Sequence, residues 1–202
     1  KANQEFSHFI DYKSGYFNNN KLIFWKQSYN ELRKKLNTYN LVLLKLDISI
    51  ITEIEKLNKY FKTCESIRKN YNKEFINFEL IENEDLFSNI EGQSLDQQQR
   101  IAIVKDEDHN LVIAGAGSGK TTTVAGKVTY LIERFNINPK DILLITFTKK
   151  ASDEMKYRIK EKMNVEIEVN TFHSFGRKVI GEATLNMPSV IEEKQYHSEM
   201  KK

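Results

Sequence analysis

Leu111-Val-Ile-Ala-Gly-Ala-Gly-Ser-Gly-Lys-Thr121 decides how the rest of this 202-residue chain is read. Three apolar residues suited to a buried strand run into a loop with glycine at 115, 117 and 119, and Lys120 and Thr121 then open a helical pattern. This is the layout of a phosphate-binding loop. Glycines let backbone N–H groups close around a polyphosphate, and the helix N-terminus adds partial positive charge. The lysine reaches the outer phosphates and the threonine hydroxyl can ligate Mg²⁺. The strict pattern begins with glycine five residues before Gly119, where this chain has Ala114.

Beyond the loop, Val124, Val128, Leu131 and Phe135 recur at helical spacing, so the helix is expected to run to about Phe135. Asn136–Asp141 is a loop, with Pro139 helping to end the helix. Ile142-Leu-Leu-Ile-Thr-Phe147 is apolar throughout, as parallel strands covered on both faces tend to be. Strand, loop, helix, loop and strand make a right-handed βαβ unit, the context a phosphate loop requires. Downstream, Ala151, Met155 and Ile159 mark the buried face of a helix, and Val165-Glu-Ile-Glu-Val169 alternates like an edge or half-buried strand.

Ligands of an open α/β sheet bind at the strands' carboxyl ends. Phe147, Thr148, Lys149 and Lys150 emerge at that edge, and Thr171, Phe172 and His173 follow the next strand to it. An aromatic ring beside hydroxyls and lysines suits single-stranded nucleic acid, with stacking for a base and donors for phosphates. A core phenylalanine with a solvated lysine pair is the alternative. His173 has no second His or Cys near it at metal-ligand spacing, so a metal site built from such side chains is not expected.

Upstream of the loop, Ser94 or Asp96 can cap a helix over Gln97, Gln98, Gln99 and Arg100, with Ile101 and Ile103 or Val104 on its apolar side. Asp106–Asn110 reads as a polar turn. Residues 82–94 form an acidic, loop-like connector, with the domain boundary near Gly92. Before it, Trp25, Tyr29, Leu32 and Leu36 form one helical stripe, and a break is expected near Asn37–Asn40. Ile54, Leu57, Phe61, Cys64, Tyr71, Phe75 and Phe78 form a longer stripe, interrupted only by Arg68. A sustained 3–4 repeat predicts a long helix packed along another, an antiparallel hairpin. Cys64 and Trp25 read as core. Residues 1–20 predict a short helix or extended arm followed by a loop.

Composition narrows the class. The net charge of +3 (31 basic minus 28 acidic) is too mild to argue for nucleic acid by itself. One cysteine excludes an internal disulfide framework and fits a reducing cytoplasm. The most apolar run, Leu41–Ile51, is interrupted by Lys45 and Asp47 and is too short to span a bilayer, so no membrane partner is expected.

With these residues in hand the chain resembles the superfamily 1 DNA helicases of the UvrD/Rep type, closest to the helicase IV branch. Leu95-Asp-Gln-Gln-Gln-Arg100 resembles the Q motif, and Ala114–Thr121 is the family's own form of the phosphate loop, alanine included. Thr146-Phe-Thr-Lys-Lys-Ala-Ser-Asp-Glu-Met155 resembles motif Ia, and Thr171-Phe-His-Ser174 the motif after it.

The resemblance implies an α/β fold: an all-α hairpin over 1–91, then an incomplete RecA-like phosphate-loop motor domain over 92–202 that ends at the start of an insertion. It implies ATP and Mg²⁺ as cofactors. Gln99 and Arg100 would lie at the adenine. Ala114, Gly115, Ala116, Gly117, Ser118, Gly119, Lys120, Thr121 and Thr122 would line the nucleotide, with Lys120 and Thr121 catalytic and Thr121 on the metal. Phe147, Thr148, Lys149, Lys150, Thr171, Phe172 and His173 would contact single-stranded DNA or a DNA junction.

Lys149 replaces a frequent family asparagine, and Thr122 a frequent arginine. The acidic strand end and second motor domain that hydrolysis needs are not found, since Glu192-Glu193 follows no hydrophobic strand. The expected function is the N-terminal portion of a 3′-to-5′ DNA helicase or translocase, the piece alone lacking turnover. The alternatives are a non-enzymatic nucleotide- or DNA-binding or interaction module, and the motor of a helicase–nuclease.

Overall fold

The computed structural model describes residues 1–39 and 45–186. The chain folds as helices with a two-stranded parallel sheet, an α/β arrangement, in two compact units: Lys1–Lys127, and a second beginning at Val128. The apolar residues from 41 to 44 and the Glu192-Glu193 segment, with the expected insertion start, lie outside the described residues. No helix among the described residues is long and apolar enough to cross a membrane.

In the first unit α1 (Ala2–Phe9) precedes a single 3₁₀ turn at Tyr12–Ser14, then α2 (Asn19–Thr38) and the 35-residue α3 (Ile48–Glu82). An aromatic cluster joins the three helices. Phe6, Phe17 and Trp25 are fully buried, and the ring of Phe6 lies 4.7 Å from Trp25 and 4.3 Å from Tyr60. The polar edge of Trp25 is satisfied too, its Nε1 donating to Ala2 O at 2.9 Å. Between α2 and α3, Trp25 meets Phe61, Lys26 meets Glu65 and Asn37 meets Asn58, so residue numbers rise along one helix as they fall along the other.

The α3 stripe buries Ile54, Leu57, Cys64, Tyr71 and Phe75, while Phe78 at its end is partly exposed. Leu32 in α2 departs from its stripe and is exposed. The expected loop-like connector contains a helix instead, α4 (Glu84–Ser88), because Phe87 is drawn into full burial. A tight turn follows: Ile90 and Gln93 exchange backbone hydrogen bonds of 2.9 and 3.0 Å across Glu91 and Gly92, both at positive φ.

Helix α5 (Gln97–Val104) starts at Asp96, whose carboxylate accepts from Gln99 N while Gln99 Oε1 accepts from Asp96 N, a complete capping box. Its Ile103 and Val104 are buried, Ile103 against α6 (Lys120–Phe135). Contact is close at Gly126, where a Cβ would sit 2.7 Å from Ile103 Cδ1 and 3.2 Å from Leu95 Cδ1.

In the second unit β1 (Leu143–Thr146) pairs in parallel with β2 (Glu168–Thr171), Leu143 opposite Glu168 and Thr146 opposite Thr171. Helices α7 (Lys149–Met163) and α8 (Phe172–Thr184) flank the pair. Val128, Ile142, Met155, Ile159, Ile167 and Val169 make the core. β1 is not covered on both faces, since Leu143 and Ile145 remain substantially exposed. On α7 the buried position beside Met155 and Ile159 is Ser152, not Ala151, and its hydroxyl donates to Val169 O at 3.2 Å.

Two outcomes are expected. Gly126→Ala destabilises the chain despite alanine's better helix propensity, and Ile103→Val, which deletes the obstructing methyl, turns the same substitution neutral or favourable in urea melts; overpacking of this kind costs about 1–3 kcal/mol. Tyr16, pushed up to about 12 by burial and by the Glu107 carboxylate it donates to, supports stability in full below its ordinary value near pH 10. That support is lost as pH rises through 12, so Tyr16→Phe flattens the alkaline stability profile.

Candidate functional site

The Ala114–Thr121 loop closes by its own backbone. Ser118 N and Oγ both donate to Gly115 O, at 3.4 and 2.8 Å, and Gly117 and Gly119 take positive φ of 74° and 76°, the left-handed region that glycine enters without strain. Thr123 N and Oγ1 donate back to Gly119 O at 2.8 and 3.0 Å, locking the first turn of α6. The ammonium of Lys120 folds over the loop and donates to Ala114 O at 3.1 Å and Gly115 O at 2.6 Å. Thr121 is half-buried beside it, and Thr122 is buried in the helix, turned from solvent.

Gln99 reaches the same place from α5. Its Nε2 donates to Ser118 O at 3.2 Å while Oε1 stays in the capping box. One side chain thus spans helix cap and loop. A cleft of about 540 Å³ lies between α5 and the loop, lined by Gln99, Ala102, Leu111, Ile113, Ser118 and Lys120 among others. That volume falls within the roughly 300–1,000 Å³ of ligand pockets.

Arg100 lies apart from this cleft. Its guanidinium pairs with Glu84 and donates to Leu95 O at 2.8 Å and Ser94 Oγ at 3.2 Å. The Ser88 hydroxyl first, and Arg100 second, hold the Glu84 carboxyl below its ordinary range.

Leu111–Ile113 departs from expectation. The run forms no strand, the sheet among the described residues contains only β1 and β2, and Leu111 and Ile113 are 85% and 88% exposed. Apolar, β-prone residues make a strand only where a neighbouring backbone receives their N–H and C=O groups. No such neighbour stands there among the described residues.

In the second unit the strand pairing brings two junctions to one edge. Because β1 and β2 are parallel and in register, Phe147 and Phe172 leave the sheet at the same end, 95% and 70% exposed. Each precedes or starts a helix capped by a threonine: Thr148 Oγ1 accepts from Ala151 N at 3.1 Å and Thr171 Oγ1 from Ser174 N at 3.2 Å. Lys149 pairs with Asp153 at 2.8 Å on the exposed first turn of α7, and Lys150 is exposed beside it. His173 is exposed, its ring meeting that of Phe172 edge-on at 6.4 Å.

The anchoring of Asp106, Glu107 and Asp108 is not visible in the sequence, where 106–110 has only the composition of a polar turn. Asp106 pairs with Lys127 at 3.0 Å and Glu107 with Arg68 at 2.8 Å, while Asp108 accepts from Asn20 N at 2.7 Å. The one signal available was Arg68, a cation standing in an apolar stripe.

Residues 95–200 match the model of a family described as the UvrD/REP helicase N-terminal domain. The chain is 35% identical over 136 residues to DNA helicase IV of Escherichia coli, covering 67% of this chain and 20% of that protein. It is 41% identical over 92 residues to a probable DNA helicase II homolog of Mycoplasma pneumoniae, covering 44% and 13%. Against the ATP-dependent DNA helicase SRS2 of Saccharomyces cerevisiae the identity is 42% over 105 residues, covering 48% and 9%. The chain spans a fifth or less of the length of these relatives.

The loop's glycines are expected to differ in tolerance. Gly117→Ala incurs the cost of left-handed backbone alone, about 1–2 kcal/mol. Gly119→Ala incurs it and also sets a Cβ 2.5 Å from Gln99 Nε2. Thermal melts should show the larger loss at 119, and a Gln99→Ala background should bring the two losses together.

Proposed function

Because the chain belongs to the UvrD/REP helicase N-terminal domain family, we propose that it is the nucleotide- and DNA-binding first part of an ATP-dependent 3′-to-5′ DNA helicase or translocase. The carrying observation is the Ala114–Thr121 loop, with Lys120 folded over loop carbonyls and two glycines at positive φ beside a cleft of nucleotide size. A phosphate group offers that ammonium stronger acceptors than neutral carbonyls, so it can replace them.

The residues suit ATP with Mg²⁺. Lys120 would hold the outer phosphates and Thr121 the metal, with the amides of Gly115 to Thr121 around the phosphate oxygens. Gln99, already bonded to the loop, would read the adenine and report loop occupancy to the α5 cap. ATP supplies the free energy of translocation when bound and cleaved. Cleavage also needs a carboxylate to orient water and arginines to offset developing charge. These would come from the second motor domain and other parts of the parent protein. By that reading the functional boundary falls near Gly92: a helical hairpin over 1–91, then the beginning of a RecA-like motor domain in a cytoplasmic enzyme.

For DNA, the support is the pair of exposed rings at one end of the β1–β2 pair. Phe147 would stack a base of single-stranded DNA, and Phe172 would stand beside the backbone path with Thr148, Lys149, Lys150, Thr171 and His173. Base–aromatic stacking is worth about 1–3 kcal/mol per base.

Lys120→Ala in the parent protein should abolish DNA unwinding while DNA binding persists; retained unwinding would overturn the role given to Lys120. Phe147→Ala should weaken single-stranded DNA binding by about tenfold or more without altering nucleotide affinity. The 202-residue chain on its own should show no DNA-stimulated ATP turnover.

A further inference from the structure

We infer that Arg68 and Glu107 form a clamp through which the N-terminal helices set the position of the phosphate loop, making Arg68 a positioning residue for nucleotide binding. This rests on the nucleotide reading above.

Arg68 lies on the otherwise apolar face of α3, its side chain only 21% exposed. Nη1 donates to Glu107 Oε1 at 2.8 Å and to Phe17 O at 3.4 Å, while Nε is buried without an acceptor. A buried unpaired donor costs stability. The placement that leaves Nε unpaired is the one that aims Nη1 at Glu107.

Glu107 is held three further ways. Its Oε1 also accepts from the Tyr16 hydroxyl at 3.1 Å, its Oε2 from Asn19 N at 3.1 Å, and its carbonyl from Asn110 Nδ2 at 3.0 Å. Asp108 takes Asn20 N, and Asn18 Oδ1 takes Lys21 N at 3.0 Å, so the first three amides of α2 all end on side-chain oxygens, two of them carboxylates. Negative charge at a helix N-terminus is favourable.

The other side of the segment is gripped by α6. Lys127 Nζ donates to Ile103 O at 2.8 Å, Lys105 O at 3.2 Å and Asp106 Oδ1 at 3.0 Å. Residues 105–108 therefore sit between the N-terminal helices and the helix whose first turn the phosphate loop builds. Since Leu111–Ile113 joins no strand among the described residues, this grip is what locates the chain leading into Ala114. Partly exposed ion pairs add little net stability. Their consequence here is geometric.

The test is titration of the 202-residue chain with a fluorescent ATP analogue and Mg²⁺, beside thermal melts of each variant. Arg68→Gln and Glu107→Gln should each weaken nucleotide binding about fivefold or more, and the double variant should be no worse than either single one, as coupled residues behave. Glu107→Gln keeps the size of the side chain and carries the test if Arg68→Gln does not fold. Leu57→Ala, a buried position of the same helix, serves as control. It should lower the melting temperature at least as much and leave nucleotide affinity within about twofold. Unchanged affinity in the two clamp variants, with a wild-type chain that binds, would overturn the clamp alone. So would a Leu57→Ala loss of affinity in proportion to its loss of stability. A wild-type chain that does not bind nucleotide would overturn the nucleotide reading and the clamp with it.

Discussion

Three adjacent carboxylates, Asp106, Glu107 and Asp108, take three different partners: a lysine of α6, an arginine of α3 and a backbone amide of α2. Much of the first unit depends on that divergence. Backbone geometry turns successive side chains in different directions, so a short acidic run can serve several elements if it lies where they converge. Here α2 is capped, α3 spends one position of its apolar face, and α6 is anchored at its second turn. The Ala114–Thr121 loop is built between these fixed points, closed by short-range hydrogen bonds of its own and by Gln99 reaching Ser118 O from α5.

The loop and its flanking helices were legible because their determinants are local. Glycine at 117 and 119, the Asp96 cap and the 3.6-residue stripes of α3 and α6 each act within one or two turns of chain. So was the alternation of Val165, Ile167 and Val169, which became the buried side of β2 and its lead-in. What depended on distant chain was not legible. Leu111–Ile113 carries a strand's composition, but a strand is a relation between two segments. Arg68 was visible as an interruption, while its partner 39 residues away was not. Phe87 turned a polar connector into a helix by being buried, which composition does not announce.

At the strand ends, structure and proposed function draw on the same atoms. The hydroxyls of Thr148 and Thr171 already cap α7 and α8, so they hold those helix starts at the edge where Phe147 and Phe172 project. A side-chain oxygen accepting from a backbone amide keeps its own proton free to donate. A capping threonine can therefore stay structural and still offer a donor outward, and the motif's threonines need not serve one role alone. Lys149 is less committed, since an exposed pair with Asp153 is weak and exchanges readily for a stronger anion.

The bare Leu111–Ile113 run also bears on how this polypeptide behaves in solution. Leucine, valine and isoleucine in succession, exposed, in no strand among the described residues and with no charge until Lys120, are what another chain's edge can zip onto. A net charge of +3 spread over 202 residues offers little repulsion to prevent it. The exposed run beside the cleft therefore has the composition of a seam for self-association. A molecule that occupies the cleft, which Leu111 and Ile113 help to line, would act as a solubiliser by shielding it.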